Sequence, residues 1–155
     1  MPWSSVQANP FDGQLVYDKH FDDHFTFVSV WSLSGIRATY TRSWRELIGH
    51  TTIWRTRTIH DASGRTYQER LRTLEPIYQN RSEIRPIKAL LFAIAGQQYR
   101  YETGPVSADL ANALRHAPDQ PMLIRVIWTD DSVWDAPIGL GTVKAWRQVF
   151  ALPPP

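Results

Sequence analysis

The densest run of groups able to do chemistry is Asp18-Lys19-His20-Phe21-Asp22-Asp23-His24. In an extended strand side chains alternate, so Asp18, His20, Asp22 and His24 would share one face. Two imidazoles and two carboxylates are ligand types for a divalent metal, and with Asp23 they could support metal-dependent hydrolysis. Geometry opposes this. Same-face neighbours on a strand stand about 6–7 Å apart, so four in a row ring one ion only if the chain bends. His20, Asp22 and His24 are therefore kept as weak metal candidates, beside the alternative of a solvated polar face opposite Tyr17, Phe21 and Phe25.

The second group is cationic. Thr51–His60 and Arg65–Leu74 read as two strands around Asp61-Ala62-Ser63-Gly64. With a two- or four-residue loop, Arg55, Arg57, Arg70 and Arg72 share one face, and Trp54, Tyr67 and Leu71 gather on the other. Like charges in direct opposition destabilise a sheet. Four such guanidinium groups call for an anionic neighbour: phosphate, or carboxylates of this chain or of a partner. A three-residue loop would flip the parity of one strand and scatter the cluster. These four arginines are the expected partner-binding residues.

Two further motifs carry less. His60, Asp61 and Ser63 hold the residue types of a catalytic triad, but triads assemble from distant parts of a chain, and Asp and Ser are ordinary turn formers. Gly139-Leu140-Gly141-Thr142 opens a helix without the remaining positions of a dinucleotide or Walker fingerprint. Its glycines fit a tight entry and close helix–sheet packing. No catalytic residue and no cofactor is assigned.

The elements that must position these residues are hairpins. Phe25–Ser32 turns at Ser34-Gly35 into Ile36–Arg42; Ile87–Ala95 turns at Gly96-Gln97 into Gln98–Thr103; Met122–Thr129 turns at Asp130-Asp131 into Ser132–Ala136. Helices are expected at Ser43–Ile48, closed by Gly49; at Ala108–His116, capped by Ser107 and stopped by Pro118; and after Gly139, with Val143, Trp146, Val149 and Phe150 at helical spacing. Trp31, Trp54, Trp128, Trp134 and Trp146 are expected in the core. Residues 75–86 read as loop, residues 1–13 as an N-terminal arm and 151–155 as an extended tail. The expected fold is one α+β domain over 1–155. It is a mainly antiparallel sheet built from hairpins and covered by two or three helices, with a ββα repeat proposed in the C-terminal half.

Composition narrows the function classes. The 155 residues are 43% hydrophobic and 21% charged, an ordinary globular balance with no disorder signature. The absence of cysteine excludes disulfides, Cys-ligated metals and thiol catalysis. A net charge of +2 is weak for a dedicated DNA binder, yet 14 of the 17 basic residues are Arg, whose planar fork suits phosphate and carboxylate. No apolar run reaches the ~20 residues of a membrane span, and the start of the chain lacks a signal pattern, so a cytoplasmic protein without membrane association is expected. These features favour a non-enzymatic binding or assembly module that docks onto an acidic protein or other anionic partner through the Arg-rich hairpin. A nucleic-acid-binding accessory protein and a metal-dependent hydrolase are the alternatives.

Overall fold

The computed structural model describes residues 3–151. In chain order the elements are β1 (Gln7–Asn9), β2 (Gly13–Phe21), β3 (Phe25–Ser32), β4 (Gly35–His60), β5 (Thr66–Arg85), β6 (Ile87–Ile94), β7 (Gln97–Tyr101), α1 (Ala108–Arg115), β8 (Met122–Trp128), β9 (Val133–Ile138) and α2 (Leu140–Val149). The strands form a five-stranded sheet of order β1-β2-β3-β4-β5 and a four-stranded sheet of order β7-β6-β8-β9. Pairing is antiparallel along β1-β2-β3-β4 and throughout the second sheet. The fold is thus α+β with antiparallel sheets and two short helices.

The chain divides into two compact units. One comprises residues 1–42 and 83–155; the other is Ser43–Ser82, made from the distal parts of β4 and β5.

The first unit contains the whole buried core. Alternation in β3 turns Phe27 and Trp31 inward, where Trp31 faces Val16 on β2 and Ile36 on β4. Trp31 meets Trp146 of α2 at 4.8 Å between ring centroids and Phe92 of β6 at 5.9 Å. A second aromatic group joins Phe25, Phe27, Tyr40, Trp128 and Trp134, with neighbouring centroids 5.0–6.2 Å apart. Such ring pairs each add about 0.5–1.5 kcal/mol beyond area burial. The helix spacings hold as expected. Ser107 Oγ accepts the Leu110 N–H at 3.2 Å, and Leu110 and Leu114 are buried. On α2, Val143, Trp146 and Val149 form the buried stripe, with Phe150 continuing it at the C-cap. This α2 packs against β2, β3 and α1.

Three expectations are corrected. Residues 43–48 are not a helix: β4 runs through them. Trp44, Leu47 and Ile48 have helical spacing, but six residues are too few to nucleate a stable helix, and strand pairing overrides weak propensity. Residues 75–85 are not loop but the continuation of β5. Pro76 is tolerated because β5 is the last strand of its sheet, and an edge strand needs no hydrogen bond from every residue on its open side. Trp54 is not core; it is 54% exposed. Within the expected N-terminal arm, Gln7–Asn9 pair with β2, while the expected tail beyond Ala151 lies outside the described residues.

Candidate partner-binding ribbon

The unit Ser43–Ser82 is a two-stranded ribbon closed by a tight turn. The Asp61 N–H donates to Arg65 O at 3.0 Å, and the Gly64 N–H donates to Asp61 O at 3.1 Å. The loop is therefore the three residues Ala62, Ser63 and Gly64. Gly64 takes φ +82°, the left-handed residue that completes a type I turn in a three-residue hairpin loop. Asp61 Oδ1 accepts from the Ser63 N–H, the Ser63 hydroxyl and the Arg65 N–H. The Ser63 hydroxyl is the largest of the bonds that hold the Asp61 carboxyl below the usual carboxylate range. His60 Nδ1 lies 3.1 Å from Thr66 Oγ1 across the ribbon. His60, Asp61 and Ser63 are thus occupied in closing the hairpin.

This loop changes which arginines face each other. Opposed residues near the turn now have numbers of the same parity, so Arg57 stands against Glu69, whose Oε2 accepts from its Nε at 3.0 Å. Arg55 Nη2 reaches Glu75 Oε1 at 3.5 Å. Arg70 lies over the Trp54 ring, 4.7 Å from its centroid, and strand alternation puts Arg72 on that same side. The expected single face of four arginines is therefore not formed. Arg55 and Arg57 lie on one face with carboxylate partners; Arg70 and Arg72 lie on the other with Trp54. The pattern Asp-x-Ser-Gly is the signal that would have given this register, because it places Gly at the left-handed position of a three-residue loop. Tyr67 and Leu71 accordingly share the face of Arg57 rather than that of Trp54.

The ribbon is unusual in what it exposes. None of its residues is buried. It holds nine of the sixteen large exposed hydrophobic residues described: Trp44, Leu47, Ile48, Trp54, Tyr67, Leu71, Leu74, Ile77 and Tyr78. It also carries seven Arg against four acidic residues, net +3, which leaves −1 for the rest of the chain given the overall +2. Glu46, Glu69 and Glu75 pair with Arg81, Arg57 and Arg55. The remaining arginines are Arg45, Arg65, Arg70 and Arg72. Of these, Arg45 lies 4.2 Å from the Tyr78 ring centroid, so two of the four rest on exposed aromatic faces. The ion pairs are exposed and contribute at most about 1 kcal/mol each.

The weak metal candidates are placed apart from one another in role. Asp18 is buried at 4% exposure on β2, where its Oδ1 accepts the Thr142 hydroxyl at 2.6 Å. Burial pushes its carboxyl above the usual range, against the lowering effects of the Thr142 hydroxyl, the Gly139 backbone N–H and nearby His20. Asp22 Oδ1 accepts the His24 and Phe25 N–H groups and so caps the β2–β3 turn. The His20 ring packs on Phe25 at 5.5 Å. Among the described residues, no three His, Asp or Glu side chains stand together as an ion would need. A Cβ on Gly141 would stand 2.9 Å from Ser4 Cβ, so this glycine admits the N-terminal segment rather than a sheet strand, while one on Gly139 would meet Asp18 Oδ1 of β2 at an ordinary 3.7 Å.

No family model, curated protein or solved structure matches this chain. Among the described residues, no helix is long and apolar enough to cross a membrane.

Proposed function

We propose that the protein is a non-enzymatic docking or assembly module whose ribbon, Ser43–Ser82, binds an acidic protein partner. One observation carries this reading: a 40-residue β-ribbon has no buried residue, yet displays nine large hydrophobic side chains and an excess of arginine. A two-stranded ribbon alone is marginally stable in water. Many exposed apolar side chains interleaved with arginine are the composition of an interaction site rather than of a free surface. Arginine and aromatic residues are also the side chains on which binding energy concentrates. Arg70 and Arg72 are the residues proposed to meet the partner's carboxylates, since Arg55 and Arg57 already have carboxylate partners within the ribbon. The setting proposed is the cytoplasm.

A second reading, nucleic-acid binding, is favoured by one specific arrangement: Arg70 over Trp54 and Arg45 over Tyr78. Exposed rings with adjacent guanidinium groups stack bases and neutralise phosphates. We also read β6-β7-α1-β8-β9-α2 as two copies of one ββα unit. The sheet order β7-β6-β8-β9 supports this, because a two-fold relation would put the first strands inside and the second strands outside.

The test is fluorescence anisotropy with a labelled polyglutamate peptide and a labelled single-stranded oligonucleotide. Each is titrated with the wild type and with an Arg70→Glu, Arg72→Glu variant, in low salt and in about 0.5 M salt, where exposed charges are screened. The expected result is peptide binding that the variant weakens at least about tenfold, a loss of about 1.4 kcal/mol. No peptide binding, or equal binding by the variant, overturns the reading. Oligonucleotide binding with a steep salt dependence, lost in the variant, puts the second reading in its place.

A further inference from the structure

We infer that the ribbon takes its acidic partner as an added strand: an extended segment of alternating acidic and apolar residues pairs with the free edge of β5 over residues 66–75. This inference rests on the docking reading above and adds the conformation and the sequence pattern of the partner.

The free edge follows from the turn. Arg65 O accepts the Asp61 N–H, so near the turn the odd-numbered residues of β5 direct their backbone groups at β4. The even-numbered ones, Thr66, Gln68, Arg70 and Arg72, direct theirs to the other side. β5 is the last strand of its sheet, and among the described residues no strand pairs with that side. The row of N–H groups is unbroken until Pro76, which has none to offer. A row of open N–H and C=O groups at strand spacing is a template for another backbone in the extended conformation.

Charge and alternation select the occupant. Arg70 and Arg72 lie exposed on one face, outside the ion pairs that occupy Glu46, Glu69 and Glu75. Leu71, between them on the other face, is 37% exposed. In an added strand the residues opposite Arg70 and Arg72 stand on the same face, with Cβ atoms about 4.5–5.5 Å away. Acidic residues at these two places supply both guanidinium groups with a carboxylate. The residue between them stands opposite Leu71, where an apolar side chain covers it. The pattern acidic–apolar–acidic reads the same in both directions, so it serves a parallel and an antiparallel strand alike. The outer edge of β4 near the turn is less suited, because Arg55 and Arg57 beside it already hold Glu75 and Glu69. A second β5 is excluded by charge: paired antiparallel about Leu71, it would set Arg70 against Arg72, and like charges in opposition destabilise a sheet.

The test titrates the full chain into labelled peptides and reads fluorescence anisotropy. The parent peptide alternates Glu and Leu; one analogue is N-methylated at every Glu and the other at every Leu. All carry the same charge. In an extended strand the Glu and Leu N–H groups point to opposite sides, so a strand added to β5 uses only one set. One analogue is expected to bind at least about tenfold more weakly than the parent, the other about equally, because only one loses its backbone bonds to β5. Which analogue fails gives the direction of the added strand. Equal binding by parent and both analogues overturns the inference, and so does equal weakening of both analogues. The Arg70→Glu, Arg72→Glu variant, its fold verified by circular dichroism, is expected to lose the parent peptide; undiminished binding there places the added strand on another edge and overturns the inference. The polyglutamate titration separates the two readings. Polyglutamate binding that depends on Arg70 and Arg72 keeps the docking reading where strand addition fails, and absence of binding by every peptide removes both.

Discussion

Thr142 Oγ1 donates to Asp18 Oδ1 across 2.6 Å, and this bond joins the first turn of α2 to the middle of β2, 124 positions away in the chain. The contact anchors the start of α2 to β2. Its N-cap is Gly139, which has no side chain to offer the unpaired N–H groups of the first turn. Asp18 instead anchors this end of the helix from another element, its Oδ1 accepting the Thr142 hydroxyl. Ser4 Oγ, 3.0 Å from Thr142 Oγ1, extends the network to the N-terminal segment.

The cost of this anchor is a buried carboxylate, and it predicts a pH dependence. Desolvation raises the folded-state value of Asp18 above its ordinary 3.8. Between 3.8 and that raised value the folded chain holds a proton that the unfolded chain has released, so Asp18 lowers stability as pH rises through this window. Asp61, Asp130 and Asp135 act in the opposite sense. Their hydrogen bonds to Ser63, Ser132 and Arg125 hold them below 3.8, and the stability they contribute above 3.8 is lost as pH falls through their folded values. Asp18→Asn keeps an oxygen acceptor and removes the charge. The variant is expected to melt at a higher temperature than wild type at pH 7, with the difference vanishing below pH 3.8. Thermal unfolding over a pH series checks this, and a lower Tm at pH 7 would show that the charge itself holds α2.

Tyr101 ties the two sheets together. Its hydroxyl accepts the Ile36 N–H at 3.0 Å and donates to Gly104 O at 2.6 Å. Gly35 makes room for it, since a Cβ there would stand 3.0 Å from the hydroxyl. Tyr101→Phe keeps the ring but leaves a buried N–H and a carbonyl without this partner. Urea unfolding is expected to show a loss of about 1–3 kcal/mol. Gly35→Ala should destabilise through the same contact, and the double variant should lose less than the sum of the two.

The β6–β7 turn contains strain that can be relieved. Ile94 and Gln97 close a two-residue loop in which Ala95 takes φ +51° and Gly96 takes φ +77°. Both positions of such a loop require the left-handed region, which Ala adopts at a cost of about 1–2 kcal/mol. Ala95→Asn is expected to stabilise the protein by about 1 kcal/mol, whereas Ala95→Val should destabilise it. Chemical denaturation of the two variants against wild type reads both signs.

What could be read in the sequence follows the core. The strand Phe25–Ser32 and both helices show their periodicity because one side of each is buried, and burial selects which residues alternate. Residues 43–48 and 75–85 have no buried side, so nothing in them imposes a strand period, and Ser43-Trp44-Arg45-Glu46-Leu47 reads as well for a helix. The register of Arg55, Arg57, Arg70 and Arg72 turned on a single residue in the loop, because the side-chain period of a strand is two. The role of Asp18 was hidden for another reason: its partner Thr142 is close only in the folded chain.

The same contrast between core and ribbon separates two tryptophans. Trp146 is fully buried against Trp31, and Trp146→Ala is expected to cost about 3–5 kcal/mol at any protein concentration. Trp54 is 54% exposed, with Arg70 over its ring. In dilute solution Trp54→Ala should change stability by no more than about 0.5 kcal/mol. Scanning calorimetry of each variant against wild type measures both losses. A large loss in Trp54→Ala would show that the ribbon is held by its own side chains.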